Sequence, residues 1–259
     1  MDSSRRLRLA QVTLSVLAGL VIWEIAGFSL SQTRLAPVFG FGVRPGALPR
    51  LIDFAGDGAF FVALGQSLSL FCTGFVIAMA VGIPLGLAMA RFRALRIALE
   101  TYILALYVTP MAALIPFILA IFGFAFVPKV IVVVLFSVFP ILYNTLEGAR
   151  SLKPELVEVA RAFRSSERRL WLDVLLPYTL PFALTGIRQG VGRALVGMVA
   201  SEVLLSNTGL GGWLVQSARD FDMAAVLGAI SVITVLGISL MALVRRAELR
   251  FAAWRGTNQ

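Results

Sequence analysis

Residues 155–177 read ELVEVARAFRSSERRLWLDVLLP, an arginine-rich stretch in a chain of 259 residues that is 59% apolar and only 14% charged. Soluble proteins carry about 25% charged residues, so this composition indicates an integral membrane protein. Six apolar segments are long enough for a membrane-spanning helix of roughly 20 residues. They lie near residues 9–29, 62–90, 98–122, 129–147, 179–205 and 223–244. The sequence therefore predicts an all-α membrane protein with six transmembrane helices and a polar insert at residues 148–178.

The distribution of positive charge predicts the orientation of the chain. If the N-terminus lies inside, sixteen of the 23 Lys and Arg residues fall in cytoplasmic segments and five in external segments. The remaining two, Arg188 and Arg193, lie within the fifth apolar segment. Cytoplasmic loops of membrane proteins carry such an excess of Lys and Arg. Both termini and the insert are therefore expected in the cytoplasm.

The first apolar segment has a basic start and also has features of a secretory signal peptide. Its apolar run continues to about Leu30 without a clear small-x-small cleavage site. We expect it to be retained as the first span, with cleavage as the alternative. The segment at residues 31–57 is expected to be an external loop with one short helix, and residues 206–222 a shorter external connection.

The residue content excludes several classes of function. There is no histidine and Cys72 is the single cysteine, which effectively excludes zinc, haem and Cys/His nucleophile sites. The chain has no GxxxxGK[ST] phosphate loop, so no ATP site of its own is expected. Its net charge of +9 lies in arginine clusters beside apolar runs, which favours a membrane surface over a nucleic acid as partner. With no internal repeat, residues 1–259 are expected to form a single transmembrane domain without catalytic residues.

The insert has the pattern of two short amphipathic helices. Pro154 followed by Glu155 is typical of a helix start. Apolar residues then recur at helical spacing in one stripe: Leu156, Val159, Ala160 and Phe163. A serine pair followed by Glu167 is typical of a second helix start, so a turn is expected near residues 164–166. On pattern alone, an amphipathic hairpin on the inner leaflet, with arginines on lipid phosphates, is an equal alternative.

At these residues the chain resembles the membrane subunits of binding-protein-dependent ABC importers. Their cytoplasmic motif is E-x-A, a glycine after three more residues, and an apolar residue with proline about a dozen residues on. Glu158 and Ala160 match the start, Leu176 and Pro177 match the end, and Arg164 replaces the glycine. The strings WEIAG, VGIPLGLAMA, FPILYNTLEGAR and LPFALTGIRQGVGRALVGMVASE, in four of the spans, look like the nitrate, sulfonate and taurine branch.

The resemblance implies a six-helix permease of the type I ABC importers, whose insert forms coupling helices that dock in a groove on a cytoplasmic ATPase. The residues implied in this coupling are Glu158, Ala160, Arg161, Phe163, Arg164 and Pro177. It further implies a permease homodimer in the bacterial inner membrane, two cytoplasmic ATPases and an external solute-binding protein. ATP and Mg²⁺ are expected in the ATPases, and no cofactor in this chain. The solute is expected to be a small anion of the nitrate, sulfonate or taurine kind.

The replacement of the motif glycine by Arg164 raises a question of turn geometry. Glycine normally supplies a left-handed residue there, which costs a residue with a side chain about 1–2 kcal/mol. The sequence favours a shifted turn, in which Arg164 ends the first helix in ordinary geometry and Ser165 or Ser166 caps the second.

Charged residues that lie inside apolar segments include Glu24, Arg188, Arg193 and Glu202. At a helix centre each costs about 2.5–3.5 kcal/mol on insertion scales, which makes such residues functional candidates. The predicted substrate path consists of Asn144, Arg188, Arg193 and Glu202, with Arg193 best suited to an anion. The alternative is structural: Arg188 and Glu202 reach the polar interfaces, and Glu24 pairs with an arginine.

Glycines recur at the small-xxx-small spacing that permits close packing of helices. One pair is Gly82 and Gly86 in the second segment, and the other is Gly186 and Gly190 in the fifth. Packing within one chain is the expected role, and contact of the second pair with a partner subunit is the alternative.

Two other classes of function are compatible with a chain of several spans. A secondary transporter driven by an ion gradient usually shows repeats and coupling carboxylates within the membrane. An integral-membrane enzyme needs catalytic side chains. The sequence shows no clear repeat, coupling carboxylate or catalytic side chain, so the importer permease is favoured over both alternatives.

Overall fold

The computed structural model describes residues 46–205 and 208–252, together with residues 11, 14–15, 17–19, 21–25 and 29. These residues contain helices and no β-strand, which confirms the predicted all-α class. The helices are α1 (Ala47–Gly56), α2 (Ala59–Arg91), α3 (Arg93–Val108), α4 (Met111–Phe122), α5 (Phe126–Arg150), α6 (Pro154–Ala162), α7 (Glu167–Arg169), α8 (Leu176–Leu205), α9 (Gly209–Arg219) and α10 (Met223–Ala252). A π-helical turn, Leu170–Leu175, joins α7 to α8 without a break.

Four continuous helices in the described part of the chain are long and apolar enough to cross a membrane. They are α2, α5, the helix from Glu167 to Leu205, and α10 as far as Glu248. The pair α3 and α4 meets the same criterion only when taken together, and it makes a fifth span if counted as one. The predicted first span, 9–29, falls partly outside the described residues, and those described there are helical. The count of six therefore stays a prediction.

The third predicted span, 98–122, is not one straight helix. α3 and α4 meet at an angle of 99°. Thr109 ends α3 in an extended conformation with ψ 132°, because the ring of Pro110 disfavours helical geometry in the residue before it. Pro84 and Pro116, by contrast, lie inside α2 and α4 without ending them.

The chain divides into two compact units, Met1–Gly65 with Asn207–Thr234, and Gln66–Ser206 with Val235–Gln259. α2 and α10 each contribute residues to both units. The single transmembrane domain predicted for residues 1–259 stays a prediction, because this division concerns packing and not independent folding.

In the larger unit, α5 packs between α2 and α8 through the two glycine pairs. A Cβ added at Gly82 would lie 3.1 Å from Cγ2 of Ile141, and one at Gly190 would lie 3.0 Å from Cγ1 of the same residue. A Cβ at Gly86 or Gly186 would lie 2.7 or 2.9 Å from a backbone carbonyl oxygen of α5. The glycines therefore pack helices within one chain, as expected, and the space beside the second pair is already filled by α5.

In the smaller unit, α1 makes an aromatic contact with α9 and a charged contact with Asp222, directly before α10. Phe54 stacks on Trp213 with ring centroids 4.1 Å apart, and Nε of Arg50 lies 2.8 Å from Oδ2 of Asp222. The short helix expected within residues 31–57 is α1, whereas residues 31–45 lie outside the described residues. The connection at 206–222 contains a helix that the sequence did not predict, α9.

Candidate coupling and transport sites

The insert begins as predicted but ends differently. α6 starts at Pro154 with Glu155 in its first turn. The second expected short helix does not stand alone, since α7 continues through the π-helical turn into α8. Pro177, which has no N–H to donate, directly follows this turn inside a continuous helix rather than at a break. The fifth span is thus the C-terminal part of a longer helix that begins in the insert.

The turn after α6 has the left-handed residue that the motif glycine normally supplies. Arg164 has φ 54°, so the expectation of ordinary geometry was wrong. Its N–H donates to the carbonyl of Arg161 at 2.8 Å, and the N–H of Ser165 donates to the carbonyl of Ala160 at 3.0 Å. These two bonds close the end of α6 in the usual way for a helix with a left-handed residue after it. The expected cap is confirmed, because Oγ of Ser166 accepts a backbone N–H of α7 at 3.4 Å.

α6 presents two different faces. The apolar stripe faces outward, with Leu156, Val159 and Phe163 exposed by 42%, 55% and 81%. Val157 and Arg161 lie on the opposite face, where they line a cavity. The outward face is thus an apolar surface on a short helix, available for a groove on another protein.

Arg193 faces a cavity of about 330 Å³ at the break between α3 and α4. The cavity is lined by Tyr107, Val108, Thr109, Pro110, Met111, Ala112, Leu135, Phe136, Phe139 and Arg193. α4 begins there without a hydrogen bond from a capping side chain, so backbone N–H groups of its first turn are not satisfied by a cap. The Arg193 side chain is exposed and makes no hydrogen bond or ion pair with any residue that the structure describes.

Arg188 and Asn144, two other candidates for the substrate path, have partners within the chain. Nη1 of Arg188 lies 3.4 Å from Oε2 of Glu248 in α10. The side-chain amide of Asn144 donates to the carbonyl of Pro140 at 2.7 Å and to Oε1 of Gln189 at 3.3 Å. The structure does not bring these two residues into the lining of the Arg193 cavity.

Glu202, the fourth candidate, belongs to a buried polar cluster that links three helices. It is 1% exposed and accepts a hydrogen bond from Oγ of Ser67 at 2.6 Å. Lys129, also buried, interacts with it electrostatically. Lys129 is one of the five Lys and Arg residues that the charge count assigns to external segments, and no sequence pattern indicated a role for Ser67. The position of Lys129 at the edge of an apolar segment was the one signal for this pairing.

The sequence profile of the family described as "Binding-protein-dependent transport system inner membrane component" matches residues 82–252, about two thirds of the chain. The chain belongs to this family. It is the permease of an ABC importer, a membrane subunit that works with ATPase and solute-binding partners and is not itself an enzyme.

Relatives of the permease align over most of its length. It is 31% identical over 244 residues to the formylaminopyrimidine transport permease protein ThiX of Halalkalibacterium halodurans, with 94% of this chain and 95% of that protein covered. It is 30% identical over 262 residues to the taurine transport system permease protein TauC of Escherichia coli, covering 99% and 93%. It is 28% identical over 244 residues to the bicarbonate transport system permease protein CmpB of Synechococcus elongatus, covering 92% and 85%.

A solved structure shares the fold. The MetNI methionine ABC transporter in an inward-facing conformation superposes with a TM-score of 0.52 at 17% identity, covering 75% of the permease and 94% of that chain. This match confirms the type I ABC importer permease fold. In the part of the permease that is described, no group of three or more His, Cys, Asp or Glu is placed to bind a metal ion.

Proposed function

We propose that the permease forms the path of a small anionic solute, and that Arg193 meets this solute within the membrane. Arg193 carries the proposal because it lies midway along the fifth span, faces a cavity and has no partner among the described residues. An unpaired guanidinium in hydrocarbon costs about 2.5–3.5 kcal/mol on insertion scales. Such a residue is tolerated where water or an anion reaches it, as in a transport path.

The names of the relatives support an anionic solute but do not identify it. Taurine carries a sulfonate, and bicarbonate is itself an anion. ThiX, named for a formylaminopyrimidine, is just as similar overall. Overall similarity therefore does not identify the solute. The positive charge of Arg193 beside the cavity is the more specific support for an anion.

Coupling to ATP hydrolysis is proposed to run through the insert, residues 148–178. The proposed coupling residues are Glu158, Ala160, Arg161, Phe163, Arg164 and Pro177. The exposed apolar face of α6 supports this role, because an unpartnered apolar stripe on a short helix suits a groove on an ATPase. The continuous helix from Glu167 to Leu205 gives that contact a stiff connection to the spans.

The proposed assembly is a homodimer of permeases with two cytoplasmic ATPases, which bind ATP and Mg²⁺, and an external solute-binding protein. The permease itself is proposed to bind no cofactor. Both termini and the insert are assigned to the cytoplasm on the bias of positive charge.

The test is uptake by the complete transporter in proteoliposomes, with taurine, an alkyl sulfonate, nitrate and bicarbonate offered through the binding protein. In Arg193→Gln we expect uptake of the transported anion to fall about tenfold, the effect of one charged hydrogen bond. Arg193→Lys should lose less, because it keeps the charge. ATP hydrolysis stimulated by the loaded binding protein should persist in both variants.

The matched control is Arg188→Gln, which removes the same charge from the same helix but outside the cavity. It should transport at close to the wild-type rate. Wild-type uptake in Arg193→Gln would remove Arg193 from the path, and a transported solute that carries no anionic group would overturn the anionic assignment.

A further inference from the structure

A second cavity, of about 430 Å³, lies beneath α6 on its inner face. Four arginines line it, drawn from different elements: Arg91 at the end of α2, Arg96 in α3, Arg150 at the end of α5 and Arg161 in α6. A single acidic residue, Glu167, is among its lining residues. The cavity is therefore strongly positive.

The ion pairs that these arginines form with carboxylates each have at least one exposed side chain. Arg91 lies 3.0 Å from Glu167, with side chains 45% and 60% exposed. Arg96 and Arg150 pair with acidic residues of their own helices at 3.9 and 2.8 Å. Exposed pairs of this kind are weak. The Arg161 side chain makes no hydrogen bond or ion pair within the described part of the chain.

The floor of the same cavity is apolar. Ala149 and Leu175 are buried there in a small hydrophobic cluster, and Trp171 packs against this cluster. All three line the cavity. An arginine rim over an apolar floor that includes a tryptophan is the arrangement expected at the level of lipid headgroups.

We propose that this cavity binds the phosphate of an anionic phospholipid. Guanidinium groups bind phosphate oxygens through paired hydrogen bonds, and the apolar floor takes the glycerol and the start of the acyl chains. The same rim recognises a free phosphate, but a free phosphate leaves the floor uncovered. The charge bias of the chain predicts that the cavity lies at the cytoplasmic surface, where anionic lipids attract clusters of Arg and Lys.

The ligand would connect the insert to the ends of the spans. Arg161 belongs to α6, whereas Arg91 and Arg150 end two helices long enough to cross the membrane. A phosphate bound by all three arginines would hold α6 against the ends of these two helices. The apolar face of α6 would stay exposed for the ATPase. The site would thus make the position of α6 sensitive to the lipid, independently of which solute is transported.

The binding test uses the complete, delipidated transporter in detergent and isothermal titration calorimetry. The probes are dihexanoyl phosphatidylglycerol, dihexanoyl phosphatidylcholine and inorganic phosphate. We expect the wild type to bind the phosphatidylglycerol at least about tenfold more tightly than the phosphatidylcholine. Arg161→Gln combined with Arg91→Gln should weaken this binding about tenfold or more.

The matched control is Arg168→Gln, which removes an exposed arginine of the insert that does not line the cavity. It should bind phosphatidylglycerol as the wild type does. Arg161→Lys keeps the charge, so its affinity for phosphatidylglycerol should lie between those of the wild type and the double variant. This graded loss would distinguish lost binding from a folding defect. Phosphate competing with phosphatidylglycerol at similar affinity would assign the site to free phosphate, and weak or no competition assigns it to the lipid.

Besides competition by phosphate at similar affinity, two results would overturn the proposal. One is equal affinity of the wild type for the two phospholipids together with no binding of phosphate. The other is an equal loss of binding in Arg168→Gln and in the double variant, because it would indicate general attraction to a basic surface.

Discussion

Arg164 adopts a left-handed backbone conformation that usually belongs to glycine, and Phe221 does the same after α9, with φ 54° and 56°. Both follow a helix whose end is closed by the same pair of backbone bonds; after α9, the N–H of Asp222 donates to the carbonyl of Ser217 at 2.9 Å. Strained residues persist where the surrounding structure fixes them, often at functional sites. At Arg164 that structure is the junction between α6 and the long helix.

Replacing Arg164 by glycine is expected to stabilise the permease. Glycine reaches the left-handed region without the side-chain cost, so we expect a gain of about 1 kcal/mol in the free energy of unfolding. Arg164→Ala keeps a Cβ and should gain nothing. The measurement is thermal unfolding of the purified full-length chain in detergent.

Arg168→Gly is the control for this prediction, because it removes an arginine from a helical position in the same insert. There the change should cost roughly 0.5–1 kcal/mol instead. If Arg164→Gly were also destabilising, the left-handed turn would not be the conformation of the folded protein.

For single residues, the sequence predicted the capping side chain correctly but not the backbone conformation of the turn. Ser166 was expected as a cap because serine is a strong local capping residue, and it is one. The geometry of Arg164 depends on where α6 ends and on bonds back to its carbonyls, which local preference does not determine. The electrostatic interaction of Lys129 with Glu202 joins residues 73 positions apart in the chain, and predicting it requires the helix packing to be known.

Among the elements, hydropathy located the apolar segments but not their bends or full lengths. Segments predicted at 62–90 and 129–147 correspond to α2 and α5, which differ by only a few residues at each end. The segment at 98–122 breaks at Pro110, and the one at 179–205 begins at Glu167. Hydropathy measures composition, so it does not register the direction of a helix or its polar extension out of the membrane.

The packing of α2 against α5 depends on a glycine contact that tolerates no side chain. A Cβ at Gly86 would lie 2.7 Å from the carbonyl oxygen of Leu142, a distance that forces the two helices apart. We expect Gly86→Ala to destabilise the permease by about 1–3 kcal/mol, the usual cost of overpacking. Thermal unfolding in detergent provides the measurement.

Gly65 in the same helix is the matched control, since a Cβ there would meet nothing within 4 Å. Gly65→Ala should be neutral or stabilising by up to about 1 kcal/mol, because alanine favours a helix more than glycine does. Equal effects of the two substitutions would show that helix propensity, and not packing against α5, governs the response.

For the whole molecule, the sequence was sufficient to predict the class, the family and the function. It succeeded because membrane helices require long apolar segments, and because the motif around Glu158 and Pro177 has a defined spacing. The different surroundings of Arg193 and Arg188 were not predictable, since only the packed helices distinguish a residue facing a cavity from one paired with Glu248.

The orientation of the permease is testable through the long helix from Glu167 to Leu205. Its 39 residues extend roughly 58 Å at 1.5 Å per residue, well beyond a hydrocarbon core of about 30 Å. The two ends of this helix are therefore expected on opposite sides of the membrane. The described helix between Leu205 and Asp220 is α9, whose 11 residues are too few to cross back. Residues 168 and 220 are consequently expected on opposite sides.

Single-cysteine labelling in intact cells measures which side is which. Cys72, which is exposed, is first replaced by serine, and Arg168→Cys or Asp220→Cys then supplies one exposed thiol. The excess of Lys and Arg in the insert predicts that an impermeant external reagent labels position 220 and leaves position 168 unlabelled until the cells are opened. Labelling of 168 alone in intact cells would invert the orientation and place the coupling insert where no cytoplasmic ATPase reaches it. Labelling of both positions would mean that the long helix does not span the membrane, which would remove the stiff connection proposed between α6 and the solute path.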